Sequence, residues 1–289
     1  MVPHTGVAAS PVYVRAFCTA AEDAGFAGLW AVDHLVMPHH TDSLYTLGRA
    51  PAPIGDDAVS GLMAPNYEML TTLAWVAGFT NRIALGTSVA VLPIRNAIAN
   101  ARQLATIDVY SGGRLVVGAG AGWLQEEADS MGMPWDRRGA RTEEHIALLR
   151  AIWSAAGDLV EFHGEFHDVA PMDPEPRPVQ RPIPILIGGH SDIALERAGR
   201  IGDGWISSSM SPERVVEHWA KVRAAAEVAG RDPASLRLVG RLSRKPDVPL
   251  EDALAGYAEV GVDHLQIGLD VAHGDAMLDE ISRVGAALV

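Results

Sequence analysis

The chain has 289 residues, 48% of them hydrophobic and 20% charged, a composition that supports a sizeable core and excludes wholesale disorder. Cys18 is the only cysteine, so no internal disulfide and no cysteine-based zinc site can form. The 23 basic and 36 acidic residues give a formal net charge of −13, which disfavours nucleic acid and anionic membranes as partners. Because the sequence has neither an apolar run of the ~18 residues that a bilayer requires nor a signal-peptide pattern, we expect a cytoplasmic protein.

Short apolar strands alternate with amphipathic helices along nearly the whole chain, which is typical of a parallel α/β sheet. The predicted helices cover residues 12–24, 67–77, 97–110, 141–153, 193–200, 212–229, 250–259 and 275–288. The predicted strands cover residues 29–32, 83–91, 114–118, 185–187, 204–207, 236–240 and 264–267. Since no linker-like stretch interrupts this alternation, the sequence predicts one domain over residues 1–289.

The predicted units fall one strand short of an eightfold barrel. The missing strand would precede helix 12–24, where only Val2 and Pro3 look strand-like. The even spacing favours a (β/α)8 TIM barrel with insertions and a truncated or degenerate first strand, with an open doubly wound sheet as the alternative. Residues 36–66 exceed the usual loop length and predict a lid or an insertion, and residues 158–184 predict a hairpin followed by a proline-rich connector.

Two motifs with chemical potential follow the first two predicted strands. Asp33 and His34 come directly after strand 29–32, and histidine is the side chain best suited to exchange a proton near neutral pH. The stretch Leu85–Val89 combines Gly86 with small hydroxyl residues, so that a flat ring could lie against its backbone. Taken singly, each motif is better explained without a function, the first as an ordinary loop pair and the second as an ordinary buried strand.

Two glycine-rich motifs follow later strands. The run from Gly118 to Trp123 lacks the G-x-G-x-x-G spacing of a dinucleotide fold, so we interpret it as a backbone-rich loop with Trp123 as a wall for an aromatic ligand. Gly188 and Gly189 precede helix 193–200, and free N–H groups at such a helix start can bind an anion. The alternative is a two-glycine turn with Ser191 or Asp192 as the N-cap, in which the acid would compete with an anion.

The histidines do not predict a metal centre. His34, His39 and His40 have no ordered carboxylate partner in the sequence, and His163 and His167 flank a predicted turn instead of sharing a helix face. We therefore expect surface histidines and no bound metal.

The order of these motifs identifies a family, although no single motif does. The sequence resembles the bacterial luciferase-like flavin and deazaflavin oxidoreductases, and most closely their actinobacterial coenzyme F420-dependent branch. The resemblance extends over about residues 12–229 and is carried by Asn81-Arg-Ile-Ala-Leu-Gly-Thr-Ser-Val-Ala-Val-Leu-Pro93, Ala101-Arg-Gln-Leu-Ala-Thr-Ile-Asp108, Ser111-Gly-Gly-Arg-Leu-Val-Val-Gly-Ala-Gly-Ala-Gly-Trp123, Glu126-Glu127, Pro184-Ile-Leu-Ile-Gly-Gly189 and Gly199-Arg-Ile-Gly-Asp-Gly-Trp205.

The resemblance implies hydride transfer between C5 of the deazaflavin F420 and a small organic substrate at the carboxyl-terminal face of the barrel. It assigns His34 as the catalytic acid or base, with Asp33 biasing its protonation, and a non-prolyl cis peptide between Ser88 and Val89 beneath the ring. Gly188 and Gly189 would hold the cofactor phosphate. The implied cofactor-binding residues are Gly86, Thr87, Ser88, Val89, Gly120, Trp123, Glu126, Gly188, Gly189 and His190.

Two other functions remain open at this stage. An FMN-dependent monooxygenase would keep the fold and change the cofactor, and a non-catalytic barrel would hold a ligand without turnover. The family also implies a homodimer, whereas the residues themselves do not identify the substrate.

Overall fold

A mostly parallel sheet surrounded by helices is the framework of the chain, in a computed structural model that describes residues 1–6, 9–38, 41–45, 52–53, 66–155, 157, 159–243, 248–268 and 275–287. The strands are β1 (Gly28–Ala31), β2 (Leu44–Tyr45), β3 (Ala52–Pro53), β4 (Ala84–Thr87), β5 (Ala90–Val91), β6 (Leu115–Gly120), β7 (Val160–His163), β8 (Asp168–Met172), β9 (Ile185–Gly188), β10 (Gly204–Ser209), β11 (Arg237–Ser243) and β12 (His264–Gly268). The α-helices are α1 (Pro11–Asp23), α2 (Met69–Ala77), α3 (Ala97–Ser111), α4 (Gln125–Ser130), α5 (Arg138–Ser154), α6 (Asp192–Ile201), α7 (Pro212–Val228), α8 (Leu250–Val260) and α9 (Asp275–Ala287).

The main sheet has the order β1-β4-β6-β9-β10-β11-β12, and β5 pairs with β6 beyond the end of β4. All of these pairs are parallel, and the sheet curves into a nearly closed TIM-like barrel with helices between successive strands. The predicted barrel is therefore confirmed, and the open doubly wound alternative is wrong. Because carboxyl ends of parallel strands share one face, the residues after β1, β5, β6 and β9 come together.

The seam of the barrel lies between β1 and β12. Within the described residues no named strand precedes α1, although the Val2 N–H donates to the Trp30 carbonyl at 2.7 Å. Val2 thus lies beside β1, where the sequence predicted the remnant of a first strand. A cavity of about 300 Å3 occupies the seam and is bordered by Met1, Phe17 and Gln266 among others.

Local sequence signals set the ends of the helices. Helix α1 begins after Ser10, whose hydroxyl accepts the Tyr13 N–H, and Pro11 occupies its first turn, where a missing N–H costs nothing. Helix α3 begins after Asn96, whose side chain accepts the Ala99 N–H, and ends at Gly112 with φ +67°, a conformation that favours glycine. The predicted helix starts are accurate to a few residues for this reason.

The barrel interior and the strand–helix layer have separate cores. A small inner cluster contains the buried residues Trp30, Leu186, Ile206 and Val239. The larger cluster packs the outer strand faces against the helices and includes the fully buried Trp153, whose indole N–H donates to the Ala101 carbonyl. Since the strands are covered on both sides, their sequences are continuously apolar instead of alternating.

The structure departs from the predicted elements in a few places. Strand 83–91 is interrupted by a cis peptide between Ser88 and Val89, the bond that the resemblance predicted. Helix α4 is absent from the prediction because its sequence, Gln125–Ser130, is short and polar. The predicted hairpin is confirmed as the antiparallel pair β7–β8. Most of the predicted lid at 36–66 lies outside the described residues.

Candidate active site

A cavity of about 610 Å3 opens at the carboxyl ends of the barrel strands. Its volume falls in the ~300–1,000 Å3 range of small-molecule and cofactor sites. The residues that line it are Val32, Asp33, His34, Ser88, Val89, Val91, Gly120, Ala121, Gly122, Trp123, Arg137, Arg138, Gly139, Gly188, Gly189, His190, Ser191, Ile193, Arg197, Ile206, Ser207, Ser208 and Arg241. The topology thus brings together the residues that follow several different strands, as the sequence predicted.

His34 and Glu127 form a hydrogen-bonded pair at the edge of this cavity. The His34 Nδ1 lies 3.0 Å from Glu127 Oε2, and the Glu127 side chain is buried. Because a carboxylate can only accept, this contact assigns the proton to Nδ1 and leaves Nε2 with no partner among the described residues. His34 therefore presents a positioned ring nitrogen to the cavity, as a general acid or base requires.

Glu127 also holds the loop that carries His34. Its Oε1 accepts the backbone N–H groups of Leu35 at 2.6 Å and Val36 at 3.1 Å. The ring of Trp123 meets the His34 imidazole edge-on with centroids 5.8 Å apart, so the imidazole is restrained from two sides. This geometry fixes the direction of His34 before any ligand arrives.

Asp33 serves a different partner from the one predicted. Its carboxylate receives two hydrogen bonds from Arg95, at 2.6 and 3.1 Å, and one from the Val91 N–H at 2.9 Å. Arg95 also donates to Glu68 at 3.0 Å. Burial opposes the charge on Arg95, but Asp33 and Glu68 outweigh it and raise the pKa of the guanidinium. Asp33 borders the cavity, yet its hydrogen bonds anchor β5 and Arg95 and none of them reaches His34.

Val89 forms the floor of the cavity. A Cβ atom built on Gly120 would lie 2.6 Å from Val89 Cγ2, and one on Gly188 would lie 2.7 Å from Val89 Cγ1. Such distances are too short for any side chain, so the two glycines let Val89 occupy the centre of the barrel. Ser88 and Val89 line the cavity between β4 and β5, so an apolar side chain packed against two glycines forms a floor that suits a planar ring.

Gly86 and Thr87 lie beneath this floor and do not line the cavity. A Cβ on Gly86 would lie 2.3 Å from the Trp30 ring, which explains the glycine by packing alone. Thr87 is fully buried, and its hydroxyl donates to the Gly118 carbonyl at 2.7 Å. The structure thus does not bring these two predicted residues to the cavity, because the apolar strand pattern cannot distinguish the floor from the layer below it.

Glu126 is also placed outside the cavity. Its carboxylate accepts the backbone N–H groups of Asp42 and Ser43 and the Ser43 hydroxyl at 2.6 Å. Burial opposes ionisation, but these hydrogen bonds outweigh it and lower the pKa of Glu126 to about 2. The neighbouring residue, Glu127, is the one that reaches His34. Helical spacing explains the difference, since successive residues of α4 point in directions about 100° apart.

The turn after β9 presents backbone N–H groups at the start of α6. Gly189 has φ +115°, and a Cβ there would lie 2.8 Å from the Ala194 Cβ, so glycine is required on two grounds. Ser191 caps the helix by accepting the Ala194 N–H. Asp192 does not compete for this site, because its exposed carboxylate pairs with Lys221 at 2.9 Å. The helix start is therefore open to an anion.

Arginines make this end of the cavity positive despite the acidic chain. Arg137 pairs with the exposed Glu165, Arg197 with Glu143 at 2.9 Å, and Arg138 stacks over the Trp135 ring at 3.8 Å. Among the described residues, Asp33 is the only acidic one that lines the cavity, and Arg95 neutralises it. Burial, with His218 and Arg214 nearby, lowers the pKa of His190. The cavity thus suits an anionic ligand.

The remaining histidines that the structure describes lie outside the cavity. His163 contacts the exposed Asp168 at 2.6 Å, and His167 contacts Glu144 at 3.1 Å on the hairpin side of α5. In the part of the chain that the structure describes, no group of three or more His, Cys, Asp or Glu side chains is arranged around a metal position. His39 and His40 fall outside the described residues. None of the described helices combines the length and apolar character of a membrane span.

Comparison with known proteins bears on this site. The chain matches the luciferase-like monooxygenase family over residues 2–267. It is 32% identical over 203 residues to an F420-dependent glucose-6-phosphate dehydrogenase of Kineococcus radiotolerans, a match that covers 69% of this chain and 53% of the relative. It is 34% identical over 168 residues to an FMNH2-dependent dimethylsulfone monooxygenase of Pseudomonas putida, covering 57% of this chain and 46% of the relative.

A solved structure shares the same fold. The F420-dependent secondary alcohol dehydrogenase, in complex with an F420-acetone adduct, superposes with a TM-score of 0.73 at 17% identity, over 95% of this chain and 94% of that chain. The matched residues 2–267 span the barrel from the start of β1 to β12 and include every residue that lines the cavity. This protein therefore belongs to the luciferase-like monooxygenase family, whose relatives here include F420-dependent and FMN-dependent oxidoreductases.

Proposed function

We propose that this protein is an F420-dependent oxidoreductase that transfers a hydride between the deazaflavin C5 and a small organic substrate. The observation that carries the proposal is a single cavity with three features. Its floor is Val89 packed against glycines, the start of α6 offers backbone N–H groups to an anion, and the His34 imidazole is held in place by Glu127. The F420-dependent relative at 32% identity supports the choice of cofactor. When bound, F420 supplies or accepts the hydride.

The residues of the cavity fit such a group. Val89, packed against Gly120 and Gly188, provides an apolar floor on which a planar ring could lie. Gly188 and Gly189 would bind a phosphate through backbone N–H groups at the start of α6, where the helix dipole favours negative charge. The arginine-lined wall adds charge-assisted donors for further anionic groups, and it does so in a chain whose net charge of −13 would otherwise repel them.

His34 would exchange the proton that accompanies hydride transfer. Its Nε2 is directed by the Nδ1 contact with Glu127, in the way that a carboxylate commonly orients a catalytic imidazole. Trp123, packed against the same ring, covers one side of it and would limit water at the reacting position. The protein's contribution is then placement of ring, substrate and acid in one pocket.

Direct titration with the two cofactors tests the proposal. Purified protein is titrated with F420 and, separately, with FMN, and binding is followed by cofactor fluorescence. We expect F420 to bind more tightly than FMN and Gly189→Ala to weaken that binding at least tenfold, because its Cβ would collide with Ala194. Gly230→Ala, at another positive-φ turn with open space around it, is the matched control.

An FMN-dependent monooxygenase is the second candidate, favoured by the Pseudomonas relative at 34% identity. It uses reduced flavin and oxygen, so FMN binding with oxygen consumption and no F420 binding would reverse the choice of cofactor. Binding of F420 without reduction or oxidation of any substrate would instead favour a non-catalytic barrel. A homodimer stays a prediction, to be checked by light scattering.

A further inference from the structure

Arg241 differs from the other arginines of the cavity. Arg137 and Arg197 each have a carboxylate partner, and Arg138 has an aromatic one. The Arg241 guanidinium has no hydrogen-bond acceptor and no carboxylate partner within the described residues. A guanidinium that lines a cavity without a protein acceptor is available to donate hydrogen bonds to a ligand there.

The strand register aims Arg241 into the barrel. Val239, two residues earlier on β11, belongs to the inner cluster with Trp30 and Ile206. Since side chains alternate along a strand, Arg241 faces the same interior one step nearer the carboxyl ends, and it lines the large cavity there. Its backbone N–H is held by the Ser207 hydroxyl at 3.1 Å, so the position is fixed.

Two neighbouring strands offer further donors without acceptors. The Ser208 hydroxyl on β10 also lines the cavity, is buried, and has no hydrogen-bond partner in the described structure. Gln266 is the register partner of Arg241 on β12, and its Nε2 is likewise buried without an acceptor while its Oε1 accepts from Ser88. Buried polar groups are normally satisfied, so the unpartnered Ser208 hydroxyl, on the strand next to Arg241 and at the same cavity, points to an oxygen atom supplied by a ligand. Gln266 borders the seam cavity instead, so its amide is not part of this site.

We propose that Arg241 and Ser208 bind an oxyanion of the organic substrate, a carboxylate or a phosphate. The inference rests on the proposed function and narrows its substrate class to small anionic molecules. The substrate site lies on β10 and β11, whereas the cofactor phosphate would be held by the turn after β9 and the start of α6. The Arg241 guanidinium would donate to the anion directly, with the Ser208 hydroxyl as a second donor.

Anion binding to the cofactor-saturated protein tests this assignment. With the phosphate turn occupied by F420 or FMN, acetate and inorganic phosphate are titrated separately in chloride-free buffer and followed by calorimetry. We expect at least one of the two to bind, R241Q to weaken it at least tenfold and S208A about threefold. The control R237Q removes the same charge from an exposed position on the same strand and should change binding less than twofold.

The outcomes separate this inference from the proposed function. Equal anion affinity in R241Q and wild type, or no anion binding in wild type, would overturn the substrate site. A loss of cofactor affinity in R241Q equal to the loss of anion affinity would assign Arg241 to the cofactor instead. If neither cofactor binds, the proposed function fails. The anion titrations are then repeated on apoprotein that carries G189A, a substitution meant to close the phosphate turn. They still decide whether Arg241 binds the anion.

Discussion

Two histidines of the barrel show how surroundings decide what an imidazole can do. His34 lies at the cavity with its Nδ1 bound to Glu127, and its side chain is 10% exposed. His145, on α5, is fully buried, and neither of its ring nitrogens has a hydrogen-bond partner among the described residues. Its nearest aromatic neighbour is His167, whose ring lies edge-on at 5.6 Å.

The difference has a chemical consequence. Burial, then the nearby His167 and Arg95, lowers the pKa of His145 to about 3, so this ring stays neutral at physiological pH. An imidazole that cannot be protonated near pH 7 and has no solvent access cannot exchange protons with a substrate. His34 combines access with an orienting carboxylate. The comparison shows that residue type alone does not identify the candidate catalytic histidine. What distinguishes His34 is a hydrogen-bonded carboxylate and access to the cavity.

The largest expected effect is that of His34→Ala on turnover. General acid–base catalysis contributes about 10²–10⁴-fold, so kcat should fall by that order while the Kd for the cofactor changes less than threefold. Cofactor fluorescence titration and steady-state kinetics measure the two quantities separately. His163→Ala, at an exposed hairpin position, is the control and should leave kcat unchanged. If His34→Ala abolished cofactor binding itself, the catalytic assignment would not survive.

Asp33→Asn is expected to affect stability more than chemistry. Removing one partner of a buried ion pair costs up to about 3–5 kcal/mol, and we expect a loss below that limit because Arg95 keeps Glu68 as a second carboxylate partner at 3.0 Å. Chemical denaturation should show this loss in the free energy of unfolding. Glu165→Gln breaks the exposed pair with Arg137 and should change the free energy of unfolding far less, because solvent screens this pair. A normal stability with a large loss of kcat would restore the predicted role of Asp33 beside His34.

Glu127→Gln should lower kcat by about 10–100-fold with little change in KM. The reason is that Glu127 orients the His34 imidazole without contacting the substrate itself. The amide keeps an acceptor oxygen for Leu35 and Val36 but removes the charge next to His34. Glu126→Gln, one residue away and bonded to the 42–43 loop, is the matched control. Equal losses of kcat in Glu127→Gln and Glu126→Gln would indicate a structural role for this helix. The conservative variant Glu127→Asp gives a second check: if it restores neither the kcat nor the stability of the wild type, the role is likewise structural.

The effect that is smallest at neutral pH concerns His145 and appears only as the pH falls. Its folded-state pKa of about 3 lies below the ordinary 6.5, so as pH falls the unfolded chain takes up the proton first. The stability that the neutral ring contributes is therefore complete above pH 6.5 and is lost progressively as the pH falls from 6.5 towards 3.

His145→Phe should remove this slope. Its packing effect is measured separately at pH 8, where the wild-type ring is neutral in both states. Denaturation at a series of pH values gives the slopes, and identical slopes for variant and wild type would show that His145 titrates normally.

Sequence reasoning found some members of the site and missed others for a common reason. His34, Val89 and Gly189 were predicted because each lies in a local pattern at the end of a strand. Glu127 was missed as the partner of His34 because the two are 93 residues apart. Arg95, which lies 62 residues from Asp33, was missed in the same way. The only signal for Glu127 was its place beside Glu126, and helical direction chose between the two.

The sequence by itself determined the alternation of strands and helices, the caps at helix starts and the glycines at the turns. Those features depend on residues within a few positions of one another, so periodicity and turn chemistry are enough to predict them. Only the tertiary structure decided which carboxylate meets His34, which cation neutralises Asp33, and that four arginines of an acidic chain line one cavity. These contacts depend on the order of the strands around the barrel, which places distant segments side by side.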